Sequence, residues 1–461
     1  MLLRSLCVTL LPVFGLALIG CTTVVDPSTD FAAARALVQD STGIDSTLDP
    51  EASVLSADDA DRVLADGLTL DEALALALAN NRRLHAGFLE LGVGRADLVQ
   101  AGLLKNPSLS LAFLLPSGGG RTRVGADLVQ SVAELWQLRE REEVARLSQD
   151  QRIVDLSRFA GELIVSTKAT YFEVVAAREA RAVAEQNIAL TQSALAGVQR
   201  QVEVGVATKT DEGLARASLL SAELAHRRQA QAEELGKQRL AGLLSLNMDM
   251  RGVNLSDELP GVDALAGLDA TLVARGQQLR LDVRSAVLAV EAADARVRLE
   301  RSRQVPAAAV GITSERPESG SSTDFLGGLT GTIELPIFDQ NQAQISRAEY
   351  RRDALARELE ALSADVAAQV RAALDRAYAA RETSAFAERD VLPQAEVSAT
   401  LAQRAYDLGD TTLLVVLGAQ HRVLQARQDV LDARLEIARA QIDVERSVGI
   451  PLSVLRRASP Q

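Results

Sequence analysis

Apolar and small residues recur at intervals of three and four along most of the chain, which predicts long helices. In the first half this series includes Ile153, Leu156 and Ala160, and no proline interrupts it before it ends at Val202. Such spacing is typical of a coiled-coil seam built with small residues. We expect one helix over about 137–203, which would be on the order of 100 Å long at 1.5 Å per residue. A compact globule would not hold a helix of this length.

The second half repeats these landmarks in the same order about 200 residues later. Its seam runs from Leu355 to Ala377, and Pro393 predicts a local kink. In each half a glycine-centred turn ends the long helix, and a returning helix is expected over about 211–246 and 413–448. The shared order indicates an internal duplication.

Four short segments between the helices have a period of two instead. Leu109, Leu111 and Phe113, for example, alternate with Ser108 and Ser110. We expect strands at about 107–116, 122–134, 306–314 and 324–336. Strands of roughly 9 to 11 residues with one apolar face can cross a bilayer at a tilt. Four strands cannot close a barrel, and lipid does not tolerate unpaired edges. An oligomer that pools its strands is therefore favoured, with two soluble hairpins packed on helices as the alternative.

The N-terminus is typical of an export signal. Residues 1–20 combine Arg4 with a short apolar core, and they precede Cys21 in Leu18-Ile19-Gly20-Cys21. This sequence resembles the bacterial lipobox, in which the cysteine is acylated and becomes the first mature residue. The resemblance predicts covalent lipid on Cys21 and no other cofactor. A plain signal peptide with a chance cysteine is the alternative.

The domain prediction follows from the signal and the duplication. After the signal peptide at 1–20 we expect a lipid-anchored irregular tether at 21–66, because that stretch is polar and has little periodicity. The first repeat is expected at 67–270 and the second at 271–450, followed by a tail at 451–461.

Composition and charge narrow the classes of function. The net charge of −13 argues against nucleic acid as a partner, and aromatic residues make up only 3% of the chain. Both cysteines lie in the first 21 residues, and the three histidines are far apart in sequence. Because paired catalytic carboxylates and metal-ligand clusters are also absent from the sequence pattern, we predict that the protein is not an enzyme and has no catalytic, cofactor or metal site.

Several segments together resemble the TolC-like outer-membrane efflux proteins. They are LTLDEALALALANNRRL from Leu68, Asn106-Pro107-Ser108-Leu109 before the first strand, LPIFDQNQAQISRAEYRR from Leu335, and the turns at Gly205 and Gly409. The resemblance covers about residues 66–450. Each motif alone is weak, and the specific signal is that the motifs occur in the same order as in the family, within a duplicated sequence. The segment from Leu335 looks most similar to the branch that works with heavy-metal or cation pumps.

The resemblance implies a mainly α fold with a small transmembrane β part. Long coiled-coil helices would form an α-barrel, and four strands per chain would contribute to the 12-stranded β-barrel of a homotrimer. Such a protein is a passive duct that carries substrates from a periplasmic adaptor and an inner-membrane pump to the exterior. It would be anchored by lipid in the outer membrane of a Gram-negative bacterium and extend into the periplasm.

The family resemblance also assigns roles to the two helical turns, which we call the first tip (residues 204–208) and the second tip (residues 408–412). Both tips match the family's adaptor-docking and pore-constricting turns, through Val204, Gly205, Val206, Ala207 and Thr208, and through Leu408, Gly409, Thr411 and Thr412. Simple helix caps are the alternative.

Gate candidates lie beside the second tip. Asp407 and Asp410 would form a ring of carboxylates in a trimer, and Arg404 is expected to pair with Asp407 one turn later. The two acids are equally compatible with ordinary caps or solvated positions.

Two further groups of side chains are predicted to mark the barrel. Glu134 and Glu334, where strand meets helix, either line the lumen or only end the barrel. The candidates for an interfacial aromatic girdle are Phe113, Trp136, Phe325 and Phe338. The negative net charge favours an acidic lumen and hence cations in transit. A periplasmic adaptor and a structural coiled-coil lipoprotein without a pore are the competing functions.

Overall fold

A computed structural model of the chain describes residues 25–44, 64, 67–115, 117–118, 121–316 and 325–458. The predicted signal peptide and the lipidation candidate Cys21 lie outside these ranges. The described chain divides into two compact units. We call Met1–Phe31, Glu90–Asp150 and Glu291–Arg352 the sheet unit, and Ala32–Leu89, Gln151–Val290 and Asp353–Gln461 the helical unit.

Helices dominate the chain, as predicted. The helices are α1 (Ser28–Thr42), α2 (Leu70–Asn80), α3 (Arg82–Ala101), α4 (Glu134–Glu203), α5 (Lys209–Leu243), α6 (Thr271–Leu279), α7 (Leu281–Ser302), α8 (Gln342–Phe386), α9 (Leu392–Asp407), α10 (Leu413–Val448) and α11 (Leu452–Ala458). None of the described helices combines the length and the apolar character needed to cross a bilayer.

The four strands form one antiparallel sheet in the sheet unit. They are β1 (Ser108–Leu114), β2 (Arg123–Ser131), β3 (Ala308–Arg316) and β4 (Leu326–Ile333), and they lie side by side in chain order. β2 pairs with β3 although 182 positions of sequence separate the facing residues Val129 and Gly311. The two strands belong to different repeats. The duplication therefore builds one sheet from two hairpins.

The helical unit is held together by two apolar clusters. One surrounds the fully buried Tyr171, with Leu68, Leu240 and Leu244, and the other joins α8 to α10 through Val370 and Val444 among others. The Tyr171 hydroxyl donates to the backbone oxygen of Leu68 and contacts an Asp257 carboxylate oxygen, both at 2.7 Å. Burial, followed by the hydrogen bond to Asp257, raises the pKa of Tyr171 well above its usual value.

The segment after the predicted signal peptide differs from the sequence prediction, and the helix near Pro393 is locally irregular. Residues 28–42, expected to be an irregular tether, form α1, in which Ala34 and Val38 are fully buried. The sequence pattern missed this helix because its stability comes from tertiary burial more than from amphipathic spacing. Near Pro393, five residues (Ala387–Val391) form a π-helical turn between α8 and α9. A proline has no backbone N–H to donate, and the wider turn accommodates that loss without ending the helix.

Candidate functional site

The sheet has one face of apolar side chains, which we call the apolar face. Because directly paired residues share a face, one row across all four strands reads Leu109, Leu128, Ile312 and Leu329. These side chains are between 45% and 90% exposed, and Phe113 on the same face is 65% exposed. A monomeric soluble protein rarely leaves a contiguous apolar surface of this kind uncovered.

The opposite face, which we call the polar face, carries small and polar side chains. The adjacent row reads Ser110, Asp127, Thr313 and Gly328. Near the far end of the sheet, Arg123 forms an ion pair with Glu315 across β2 and β3 on this face. The two faces therefore differ as sharply as the faces of a sheet that separates lipid from water.

The two strand-to-helix junctions of the sheet unit are not equivalent. Glu134 is buried, and its carboxylate lies 2.7 Å from Lys105 Nζ and accepts the Lys105 backbone N–H at 3.1 Å. Burial opposes ionisation, but the hydrogen bonds and positive charges of Lys105 and Arg141 outweigh it, so the pKa of Glu134 is lowered. Glu334 is exposed and has no such partner among the described residues. Of the two acids, only Glu334 is open to solvent.

All four aromatic girdle candidates lie on the surface of the described chain. Phe113 is 65%, Trp136 41%, Phe325 54% and Phe338 91% exposed. Phe338 adjoins Leu335 and Ile337, which are also more than half exposed. An apolar segment directly after β4 is thus uncovered in the single chain.

The first tip is a tightly hydrogen-bonded turn between α4 and α5. Gly205 has a φ of +77°, which glycine adopts without strain, and the backbone N–H of Val206 donates to Gln201 at 2.8 Å. Thr208 then caps α5 in a reciprocal arrangement, since its side chain accepts the Asp211 N–H while Asp211 accepts the Thr208 N–H. The Thr208 hydroxyl also donates to the Asp211 carboxylate at 2.7 Å, and this bond, followed by the one from the Thr208 backbone N–H, lowers the pKa of Asp211.

The second tip repeats the turn but lacks this cap. Gly409 has a φ of +82°, and the backbone N–H of Asp410 donates to Ala405 at 2.8 Å. Thr412 stands at the start of α10 with an extended backbone, yet its side chain makes no capping hydrogen bond. In addition, α9 has no buried residue anywhere along its length. The second tip is therefore held less firmly than the first.

The gate candidates surround this second turn. Asp407 accepts a hydrogen bond from Gln403 Nε2 at 2.9 Å, whereas Arg404 makes no ion pair within the described part of the chain. The expected Arg404–Asp407 pair is therefore wrong for the isolated chain, because the i, i+4 amide reaches the carboxylate instead. Asp407 is the last residue of α9, where the helix dipole disfavours a negative charge, so it does not serve as a helix cap.

Sequence analysis missed a hydrogen bond that joins α4 to α9 just before the two tips. The Tyr406 hydroxyl donates to Gln201 Oε1 at 2.6 Å, across 205 positions of sequence. Both residues line an open cleft of about 260 Å³ between α4, α9 and α10. The only available signal was a tyrosine in a chain that contains four, placed three residues before the second tip glycine.

No catalytic arrangement emerges among the described residues. No group of three or more His, Cys, Asp or Glu side chains in that part of the chain is placed to hold a metal ion. His85 contacts the backbone oxygen of Ala79 at 2.8 Å, a local contact near the start of α3. The surface features that remain are the two-faced sheet and the two tips.

Comparison with known proteins supports the resemblance drawn from the motifs. The family described as Outer membrane efflux protein matches residues 272–450, which span most of the second repeat. The cobalt-zinc-cadmium resistance protein CzcC of Cupriavidus metallidurans is 26% identical over 378 residues, covering 79% of this chain and 86% of CzcC.

Solved structures extend the likeness to both repeats. A structure of CusC, described in terms of folding and transmembrane channel formation, matches with a TM-score of 0.70 and 20% identity, covering 83% of this chain and 92% of CusC. The outer membrane protein VceC of Vibrio cholerae matches with a TM-score of 0.70 and 17% identity, covering 86% of this chain and 99% of VceC. The chain is therefore similar to the outer membrane efflux protein family over residues 272–450, and it shares the fold of these solved channel structures.

Proposed function

We propose that this protein is the outer-membrane channel component of a tripartite efflux system. It would be a passive homotrimeric duct that receives substrates from a periplasmic adaptor and an inner-membrane pump. The observation that carries the proposal is the sheet with an exposed apolar face and a polar opposite face, in a chain similar to outer-membrane efflux channels. The same comparisons give no support to an adaptor or a poreless coiled-coil lipoprotein.

The free edges of the sheet support assembly. Within the described chain, β1 and β4 each pair with one strand only. In lipid an unpaired strand edge costs several kcal/mol for each unsatisfied group, so edges must meet edges of other copies. Three copies would supply twelve strands, with the apolar face toward lipid and the polar face toward a wet lumen.

The helical tips are proposed as the adaptor-docking surface. Val204 and Val206 are 73% and 77% exposed, and Leu408 is 78% exposed, so each glycine turn presents apolar side chains that a partner would cover. Arg404, Asp407 and Asp410 are proposed as gate residues beside the second tip. Acylation of Cys21 would add an anchor in the outer membrane.

Heavy-metal cations are the substrate class that we propose for the system. The support is the similarity to a cobalt-zinc-cadmium resistance protein together with the net charge of −13. An electronegative duct lowers the barrier to cations without making or breaking a bond.

The first experiment measures native mass and single-channel conductance of the purified protein in a planar bilayer. A trimer with discrete conductance steps is expected. A folded monomer without conductance, isolated from outer membranes, would contradict the channel and favour the coiled-coil lipoprotein.

A pair of neighbouring variants tests the orientation of the sheet. Leu128→Lys places a charge on the apolar face, where a mid-membrane Lys costs roughly 2–4 kcal/mol, so we expect loss of trimer from outer membranes. Val129→Lys places the same charge on the polar face, and we expect membrane insertion to persist with altered conductance. Equal effects at the two positions would exclude the proposed orientation.

A further inference from the structure

One carboxylate on the polar face of the sheet has no counter-charge. Asp127 lies in the middle of β2, opposite Ser110 on β1 and Thr313 on β3. Within the described part of the chain no side chain or backbone group donates a hydrogen bond to this carboxylate, and no cation pairs with it. It is the only acidic residue of β1 and β2.

The nearest charges on the same face neutralise each other. Arg123 lies four residues before Asp127 on β2, or about 13 Å along the strand at 3.3 Å per residue. The Arg123 guanidinium is bound to Glu315, so it is not available to Asp127. The net charge of this pair is zero, and the negative charge of Asp127 remains unbalanced in the centre of the sheet.

The side chains directly beside Asp127 are small, and Asp127 is partly buried in the single chain. Its directly paired neighbours are a serine and a threonine, and the next position on β4 is Gly328. Gly125 and Gly311 lie on the same face one row away. Because none of these side chains is longer than that of aspartate, the carboxylate is the most protruding polar group of its row.

We propose that Asp127 determines the preference of the duct for cations. This inference rests on the proposed function, because it requires three copies whose polar faces surround one lumen. Three copies of Asp127 then stand at one level of a narrow pore, where low-dielectric walls concentrate the field of fixed charges. A cation passing this level is attracted and an anion is repelled, and the charge of the Arg123–Glu315 pair contributes little because it sums to zero.

The experiment measures the reversal potential of single channels of the intact trimer in a gradient of potassium chloride. For Asp127→Asn we expect the ratio of potassium to chloride permeability to fall by at least about threefold, the Boltzmann factor of a potential near one kT. The effect should grow as the salt is diluted, because the screening length rises from about 10 Å at 0.1 M to about 30 Å at 0.01 M.

Two matched variants separate charge from structure. Asp127→Glu keeps the charge and should retain the wild-type permeability ratio. Ser110→Ala alters the residue directly opposite without changing charge, and it should also leave the ratio unchanged. Native mass of each variant establishes that the trimer is intact.

The outcomes distinguish a failure of this inference from a failure of the proposed function. If wild-type trimers conduct and Asp127→Asn retains the wild-type permeability ratio, the role of Asp127 is refuted and the channel stands. If the folded wild-type protein does not conduct, the channel itself is refuted. If Ser110→Ala lowers the ratio as much as Asp127→Asn, the selectivity depends on local packing and the proposed role of Asp127 is again refuted.

Discussion

The two tips share one backbone turn but differ in what holds them. Each has a glycine with positive φ, and three corresponding backbone hydrogen bonds close the preceding helix in both. The first tip adds the Thr208–Asp211 cap, whereas the second tip has an uncapped Thr412 and follows a helix with no buried residue. The two repeats thus share the turn but not the contacts that support it, and the second tip has fewer of them.

Substitution of the glycines tests what the tips share. Gly205→Val and Gly409→Val force a β-branched residue into the left-handed region, which costs roughly 1–2 kcal/mol or more. We expect hydrogen exchange in the affected turn to accelerate about 5- to 30-fold, the factor that corresponds to that cost. Gly213→Ala is the control, because a Cβ there meets open space at an ordinary helical φ. Unchanged exchange in either tip would show that its turn is not strained by a side chain.

Removal of the threonines tests where the tips differ. Thr208→Ala deletes a side-chain cap, which typically costs about 1 kcal/mol, whereas Thr412→Ala deletes no capping bond. Hydrogen exchange at the start of α5 should therefore accelerate several-fold in the first variant, with little change at the start of α10 in the second. Equal acceleration in both variants would contradict the proposed difference in support.

The hydrogen bond between α4 and α9 beside the tips is tested on the channel itself, with a smaller expected effect. Tyr406→Phe removes the donor to Gln201, a bond worth about 1 kcal/mol, so a closed state that uses it would lose roughly fivefold in population. The expected result is a higher open probability in single-channel recordings. Tyr350→Phe, at a site 77% exposed, is the matched control. A Tyr406→Phe channel with wild-type gating would exclude this bond from the closed state.

Local patterns in the sequence predicted the repeating elements. Alternation over two residues identified the four strands, and the three-four spacing identified α4 and the helix pair that leads to each tip. These predictions succeeded because the spacing of apolar residues within a short stretch of sequence indicates which face of a strand or helix is buried. The glycines at 205 and 409 were informative for a similar reason, since a positive φ is a local requirement.

Long-range pairing was beyond such patterns. Gln201 and Tyr406 form a hydrogen bond only because two helical hairpins from different repeats pack together. The spacing of residues along either helix does not predict that contact. Glu134 and Glu334 occupy corresponding positions, yet only Glu134 is buried and paired with Lys105, which lies in the loop before β1. For Arg404, the helix spacing allowed an ion pair with Asp407, but Gln403 competes for the same carboxylate at the better i, i+4 distance.

The π-helical turn at Ala387–Val391 changes the direction in which the side chains of α9 point around the helix axis. One additional residue in an α-helix rotates the downstream side chains by about 100°, since 3.6 residues complete a turn. The seam that buries Val366, Val370 and Ala377 in α8 is therefore not continued by α9, although the helical path is unbroken. Both helices still pack against α10, so one continuous backbone presents two differently oriented surfaces to the same partner helix, and the five residues of the turn set the angle between them.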